Sequence, residues 1–452
     1  MDAVNPATGQ LIRRYPDHDA AEVGRALEAG ARCFADWRRT SFADRASLVR
    51  RAAAILRQNA AAFSSLMTEE MGKPIAAAEA EVEKCAWVCE HFADHAQRYL
   101  APETIATDAA ASYTRCDPLG LVLAVMPWNF PFWQVFRCAA PALMAGNTVV
   151  LKHASNVPGC SLAIERAFRD AGFPPGAFTS LLVPAAAVET LARDDRVAAV
   201  SLTGSEAAGA SVGAIAGAAL KKIVLELGGS DAFVVLADAD VGACARLAAA
   251  ARTINNGESC IAAKRFIVEE SVAESFERHF IEHMQTLRVG DPADRTIEVG
   301  PLAREDLLRE LQGQVERTVA AGARLRCGGR RLERPGFFYP PTVLTGVAPG
   351  MAAFDEETFG PVGPVTRARD AAHAVALANR SRFGLGASLW TADRARAERL
   401  AAEIEAGAVF VNGVVKSDPR LPFGGIKRSG HGRELSAAGI REFVNLKTVW
   451  CA

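Results

Sequence analysis

Cys260, Glu226 and Asn129 are the residues of this chain with the clearest chemical potential. Cys260 closes the stretch Asn256-Gly257-Glu258-Ser259-Cys260, and Glu226 stands upstream in Glu226-Leu227-Gly228-Gly229. A thiolate attacks a carbonyl carbon to form a covalent intermediate, and a carboxylate then delivers water or takes a proton. Asn129 lies in Pro127-Trp128-Asn129-Phe130-Pro131 and is either a donor to a developing alkoxide or an ordinary turn residue. Leu202-Thr203-Gly204-Ser205 ends an apolar run and opens a helical one, so its backbone N–H groups suit a phosphate. No G-x-G-x-x-G follows any strand, so a dinucleotide site here departs from the usual Rossmann fingerprint.

The elements that must position these groups are legible as alternating patterns. Helical spacing dominates the first hundred residues, from Asp19 to Trp37, Ala52 to Leu56 and Ile75 to Phe92. Leu121 to Val125 then reads as a buried strand, followed by Thr148 to Leu151, Ser180 to Val183 and Val197 to Leu202, with helices between. This predicts a doubly wound α/β fold with a parallel sheet. A second α/β series starts after Gly228 and runs through Arg265 to Val268 and on to Asn412. The tail Phe443 to Trp450 has strand character and seeks a sheet edge.

Length, charge and cysteines bound the function. At 452 residues two or three domains are expected, and a net charge of −1 gives no reason for a nucleic acid or membrane partner. No basic leader or long apolar run occurs, and ten irregularly spaced cysteines fit a reducing compartment, so a cytoplasmic protein is expected. Cys85, Cys89, His91 and His95 are considered as a metal site and set aside on helical geometry, so no metal is expected.

Four motifs, in this order and spacing, carry a resemblance to the NAD(P)-dependent aldehyde dehydrogenase superfamily: Pro127 to Pro131, Leu225 to Gly229, Gly257 to Cys260, and Glu356-Glu357-Thr358-Phe359-Gly360-Pro361. The resemblance covers essentially the whole chain. It implies two doubly wound α/β domains and a bridging β element for oligomerisation. Residues 1–99 and 119–228 would bind cofactor, 229–408 would be catalytic, 409–434 would return to the cofactor domain, and 100–118 with 435–452 would form the oligomerisation element. A homodimer or homotetramer follows from the same likeness.

By that resemblance Cys260 is the nucleophile, Glu226 the general base, and Asn129 with the Cys260 N–H the oxyanion site. A thiohemiacetal would pass hydride to the nicotinamide, and the thioester left on Cys260 would be hydrolysed. Partial desolvation between Leu225 and Leu227 would raise the Glu226 pKa, and a positive nicotinamide ring would help form the thiolate. Pro127, Trp128, Lys152, Ser155, Gly204, Ser205, Leu227, Glu357 and Phe359 would contact the cofactor. Ser155 stands where many NAD-preferring members carry glutamate, so NADP is expected ahead of NAD. His153 is expected at the surface.

The chain also resembles the short bacterial succinate-semialdehyde dehydrogenases. Arg137 matches a position that contacts the substrate carboxylate there, with Trp133 and Ser417 as further substrate contacts. Two departures stand out: Ile254 replaces an arginine found in some of these enzymes, and Glu258 replaces a common glutamine. Glu258 is expected as an extra carboxylate near the mouth, with Lys416 or Arg420 as a second positive contact if it points away. Alternatives are another aliphatic or aromatic aldehyde, or a silent scaffold with this fold.

Overall fold

A computed structural model describes residues 1–452. Four helices, Ala20–Trp37, Phe42–Gln58, Ala60–Met71 and Ile75–Tyr99, form the first layer. The first two begin at capping boxes, Asp19 with Glu22 and Ser41 with Asp44, which satisfy the free N–H groups of the first turn. The fourth buries Val82, Cys85, Cys89 and Phe92 along one stripe against the first sheet's core.

That sheet has six strands in the spatial order Gly430–His431, Lys222–Glu226, Val197–Thr203, Leu121–Met126, Thr148–His153, Phe178–Leu181. All neighbours are parallel except the short return strand Gly430–His431. Strand Thr148–His153 is buried at every position, which explains its continuous apolar reading. The chain order reverses between Leu121–Met126 and Val197–Thr203. Such a switch point opens a crevice at the carboxyl ends of the strands, where Pro127 and Gly204 begin their loops.

The second sheet has seven strands, with Asp231–Val235 and Ala263–Glu269 paired in parallel at its centre. Only Arg324–Cys327 runs antiparallel, at one edge. The other edge is Ala408–Val411, which pairs with Gly386–Leu389. A division after residue 408 therefore cuts a strand, and the return to the first sheet starts beyond Val411. Likewise Leu435 and Ile440 are buried in the core of the first sheet, so the segment 435–441 packs there and not in a bridging element.

A third sheet pairs Val444–Cys451 with Ala111–Pro118, and Glu103–Thr104 closes its other side. The strand Val444–Cys451 keeps one edge unpaired, with Leu446 and Trp450 exposed. No helix is long and apolar enough to cross a membrane.

Candidate active site

The crevice at the switch point is a cavity of about 660 Å³. The first sheet contributes Pro127, Trp128 and Asn129, the loop from Gly204 to Ala207, and Leu227 with Gly228. The second contributes Cys260, Glu357 and Phe359. Residues far apart in the chain therefore line one space: Pro127, Gly204 and Leu227 follow strand ends of the first sheet, while Cys260, Glu357 and Phe359 lie in loops that lead into strands of the second.

Cys260 is held there by a loop of unusual backbone. Asn255, Asn256 and Gly257 take positive φ in succession, at 53, 60 and 79 degrees. Asparagine tolerates this region better than other side chains, and both amides are anchored. Asn256 donates to the Gly72 and Pro301 carbonyls at 3.0 Å each and accepts from Gly300 N–H at 2.7 Å. Asn255 donates to the carbonyls of Asn129 at 2.7 Å and Glu258 at 3.0 Å. A Cβ on Gly257 would lie 2.3 Å from the Gly360 carbonyl carbon, so only glycine fits.

Asn129 is joined to the same loop. Its Nδ2 donates to the Glu258 carbonyl at 3.0 Å, which uses one amide hydrogen and leaves the second. Glu81, from the fourth helix, accepts from the N–H groups of Phe132 and Trp133 at 2.9 Å each and is ion-paired with Lys73. Lys73 in turn stands 3.8 Å from the Phe130 ring. Glu81 falls on the apolar stripe with Val82 and Cys85, a position that marks a buried carboxylate. His153 also supports the turn. It is buried, its Nε2 donates to the Pro131 carbonyl at 2.8 Å and its Nδ1 accepts from Ala154 N–H. Burial pushes its pKa down to about 4, so it is a neutral structural group and not a surface histidine.

Glu226 ends strand Lys222–Glu226 but does not line the cavity. It is 2% exposed, and its Oε1 has no partner. Burial raises its acid well above the ordinary range, opposed by Arg137 and reinforced by Glu434. Burial likewise pushes the Cys260 thiol up to about 12, although Arg137 and Lys264 pull it down. The chain's own residues therefore raise both groups, and they hold the Cys260 thiol protonated near neutral pH.

Glu258 does not face the mouth. Its side chain is fully buried and its Oε1 accepts from Ala303 N–H at 2.9 Å. Burial raises its acid well above the usual value, which disfavours the expected extra negative charge.

Seven expected cofactor contacts line the cavity: Pro127, Trp128, Gly204, Ser205, Leu227, Glu357 and Phe359. Glu357 accepts from Gly229 N–H at 3.0 Å and pairs with buried Lys264 at 3.2 Å. A Cβ on Gly228 would lie 2.1 Å from a Glu357 carboxylate oxygen, so that glycine admits the carboxylate. Lys152 is one strand away, opposite Val125, buried and without a carboxylate partner. Ser155 is exposed in the turn before helix Pro158–Asp170. A free ammonium, a serine, and N–H groups at a helix start fit the polyanionic and ribose parts of a dinucleotide.

The expected substrate residues do not line the cavity. Arg137 is 1% exposed, ion-paired with Glu434 and bonded to Thr203 Oγ1 at 3.2 Å. Its charge is spent inside the fold, which corrects the expectation of a free carboxylate clamp. Arg420 is likewise bound through two hydrogen bonds to Asp418, at 2.9 and 2.7 Å. Trp133 and Ser417 are buried and meet through Lys84, which no motif indicated.

Comparison with known proteins adds three findings. The aldehyde dehydrogenase family matches residues 1–449. A probable succinate-semialdehyde dehydrogenase (NADP(+)) of Synechocystis is 54% identical over 449 residues, covering 99% of each chain. A succinate-semialdehyde dehydrogenase (NADP(+)) of Mycobacterium tuberculosis is 52% identical over 452 residues, again 99% of each. Among solved structures, the succinic semialdehyde dehydrogenase of Streptococcus pyogenes in complex with NADP+ superposes with a TM-score of 0.97. It is 35% identical and is covered, like this chain, to 99%.

Proposed function

The chain belongs to the aldehyde dehydrogenase family, and from that premise we propose that it oxidises succinate semialdehyde to succinate with NADP. The observation that carries the reading is full-length identity above 50% to enzymes named for this reaction, joined to a cavity that holds Cys260 and Asn129 together.

In this reading the Cys260 thiol first gives its proton to solvent, and the thiolate Sγ attacks the aldehyde carbon. Asn129 gives its second amide hydrogen, with the Cys260 backbone N–H, to the oxygen that becomes negative. A cofactor bound there would supply the hydride acceptor for this adduct, and Cys260 would keep the resulting thioester. Glu226 takes a proton from the water that hydrolyses it, for which its carboxyl must first ionise beside Arg137. Lys152, Ser155 and Ser205 would hold the cofactor's ribose and phosphates, while Glu357 and Phe359 would hold its nicotinamide end.

Several finer assignments belong to the same proposal. Ten free cysteines support a reducing, cytoplasmic setting. The unpaired edge of Val444–Cys451, with exposed Leu446 and Trp450, supports a homodimer or homotetramer built through the third sheet. The two larger sheets are assigned to cofactor binding and catalysis.

The pairing of Arg137 with Glu434 favours a second reading, in which the substrate is a neutral aliphatic or aromatic aldehyde. A panel of aldehydes assayed with both cofactors tests the choice. The highest kcat/KM is expected for succinate semialdehyde with NADP, and activity is lost in Cys260→Ala. A neutral aldehyde of similar size used equally well would overturn the assignment.

A further inference from the structure

Lys264 is a charged side chain in a strand, Ala263–Glu269, that is buried at every position. It is 0% exposed, and an ammonium so deeply buried needs every donor served. Its Nζ donates to the Ser259 carbonyl at 2.7 Å and to the Cys260 carbonyl at 2.8 Å, and pairs with Glu357 Oε1 at 3.2 Å. An ammonium has three hydrogens, so the two carbonyls and the carboxylate use its full capacity. A Cβ on Gly229 would lie 2.9 Å from the Cys260 carbonyl oxygen, so the bare backbone there leaves that oxygen room.

The Ser259 carbonyl and the Cys260 N–H belong to one peptide unit. That unit is planar and trans, so its C=O and N–H point in opposite directions. With the carbonyl drawn to Lys264, the N–H is turned to the far side, where it donates to no group of the chain. Ala262 N–H also reaches the Ser259 oxygen, at 3.2 Å, but it lies in the same turn and moves with it. Lys264 is anchored beyond that turn, in a strand paired on one side with Asp231–Val235 and on the other with Val362–Ala368. A flipped peptide would set the N–H against the ammonium and lose the bond from Lys264 to Ser259.

We propose that Lys264 is a positioning residue for the oxyanion site: by holding the Ser259 and Cys260 carbonyls it keeps the Cys260 N–H aimed at the oxygen of the adduct. The inference rests on the reading in which Cys260 is the nucleophile. Lys264 does not touch the reacting oxygen and acts through the peptide alone. Its pairing with Glu357 ties that peptide to the carboxylate assigned to the nicotinamide end, so both share one anchor.

Two reactions of the cofactor-free enzyme isolate this role. When the Cys260 thiolate attacks p-nitrophenyl acetate, the carbonyl oxygen becomes negative before p-nitrophenolate leaves and the acetyl group stays on sulfur. When it displaces iodide from iodoacetamide, no oxyanion forms. Both need the thiolate, so any change in its formation cancels in the ratio of the two rates. The test measures first-turnover p-nitrophenolate release, and alkylation of the Cys260 peptide by mass spectrometry, in wild type, Lys264→Met, Lys264→Gln and Cys260→Ala at one pH. The ratio of acylation to alkylation is expected to fall about 10- to 100-fold in Lys264→Met, approaching the loss of a whole oxyanion donor. Lys264→Gln keeps N–H donors on a side chain one atom shorter, so its fall should be smaller. Melting temperature reports folding, and Lys264→Gln carries the comparison if Lys264→Met does not fold. A ratio within about threefold of wild type in the folded variant overturns the role of Lys264. Unchanged p-nitrophenolate release in Cys260→Ala overturns instead the reading of Cys260 as the nucleophile.

Discussion

The guanidinium of Arg137 is ion-paired with the carboxylate of Glu434, and both side chains are 1% exposed. A buried pair of this kind is costly to break from one side, because the remaining charge has lost its partner. Both partners act on the Glu226 carboxyl, Arg137 lowering its pKa and Glu434 raising it.

Arg137→Ala is therefore expected to destabilise the fold by about 3 kcal/mol. Glu434, whose acid burial already raises, can take a proton in response, which keeps the loss at the low end. Activity should fall equally on succinate semialdehyde and butanal. Denaturant unfolding and the ratio of the two kcat/KM values check both parts, and a loss confined to the charged aldehyde would restore Arg137 as a clamp.

The thiol of Cys260, pushed up to about 12, predicts slow alkylation of the cofactor-free enzyme at neutral pH. Because the thiolate is the reactive form, the rate should climb about tenfold per pH unit from 7 to 9. It should not level off at the ordinary thiol value of about 8.5. Mass spectrometry of the Cys260 peptide after timed iodoacetamide exposure measures this without interference from exposed Cys451.

Glu226→Gln separates the two half-reactions. A rapid burst of reduced NADP should persist while steady-state turnover drops by about 10²- to 10⁴-fold, the usual range for losing a general base. Stopped-flow absorbance shows both phases, and loss of the burst itself would move Glu226 to the first step.

Glu258→Gln should retain activity and flatten the alkaline side of the stability profile. Burial raises the Glu258 acid, so its folded pKa lies above the unfolded value of about 4.3. Its stabilisation is complete below that value and is lost as pH rises through the elevated folded pKa. A glutamine carbonyl keeps the bond from Ala303 N–H and never ionises. Melting temperatures followed from about pH 4.5 upward should fall less in the variant than in wild type.

Ser155→Glu should lower kcat/KM with NADP by tenfold or more, equivalent to about 1.4 kcal/mol, and change NAD little. The side chain is exposed, so the substitution is tolerated, and a carboxylate there repels a 2′-phosphate. Parallel assays with both cofactors report the change.

Much was readable from local pattern alone. The buried runs at Leu121–Met126 and Thr148–His153 follow from continuous apolar residues, and the motifs bearing Asn129 and Gly204 sit just after the strands Leu121–Met126 and Val197–Thr203. Strand ends at one edge of a parallel sheet meet at a switch point, so the cavity was implicit in the alternation. The side-chain partners were not. Asn129 reaches the Glu258 carbonyl across 129 residues, and Lys84 reaches Ser417 across 333. Periodicity reports which face of an element is buried, and it carries no information on which distant group a buried charge will meet. The direction of Glu258, the engagement of Arg137 and the contact of Lys84 with Ser417 depend on packing between separate elements. They became visible only when the helices and both sheets were assembled around one crevice.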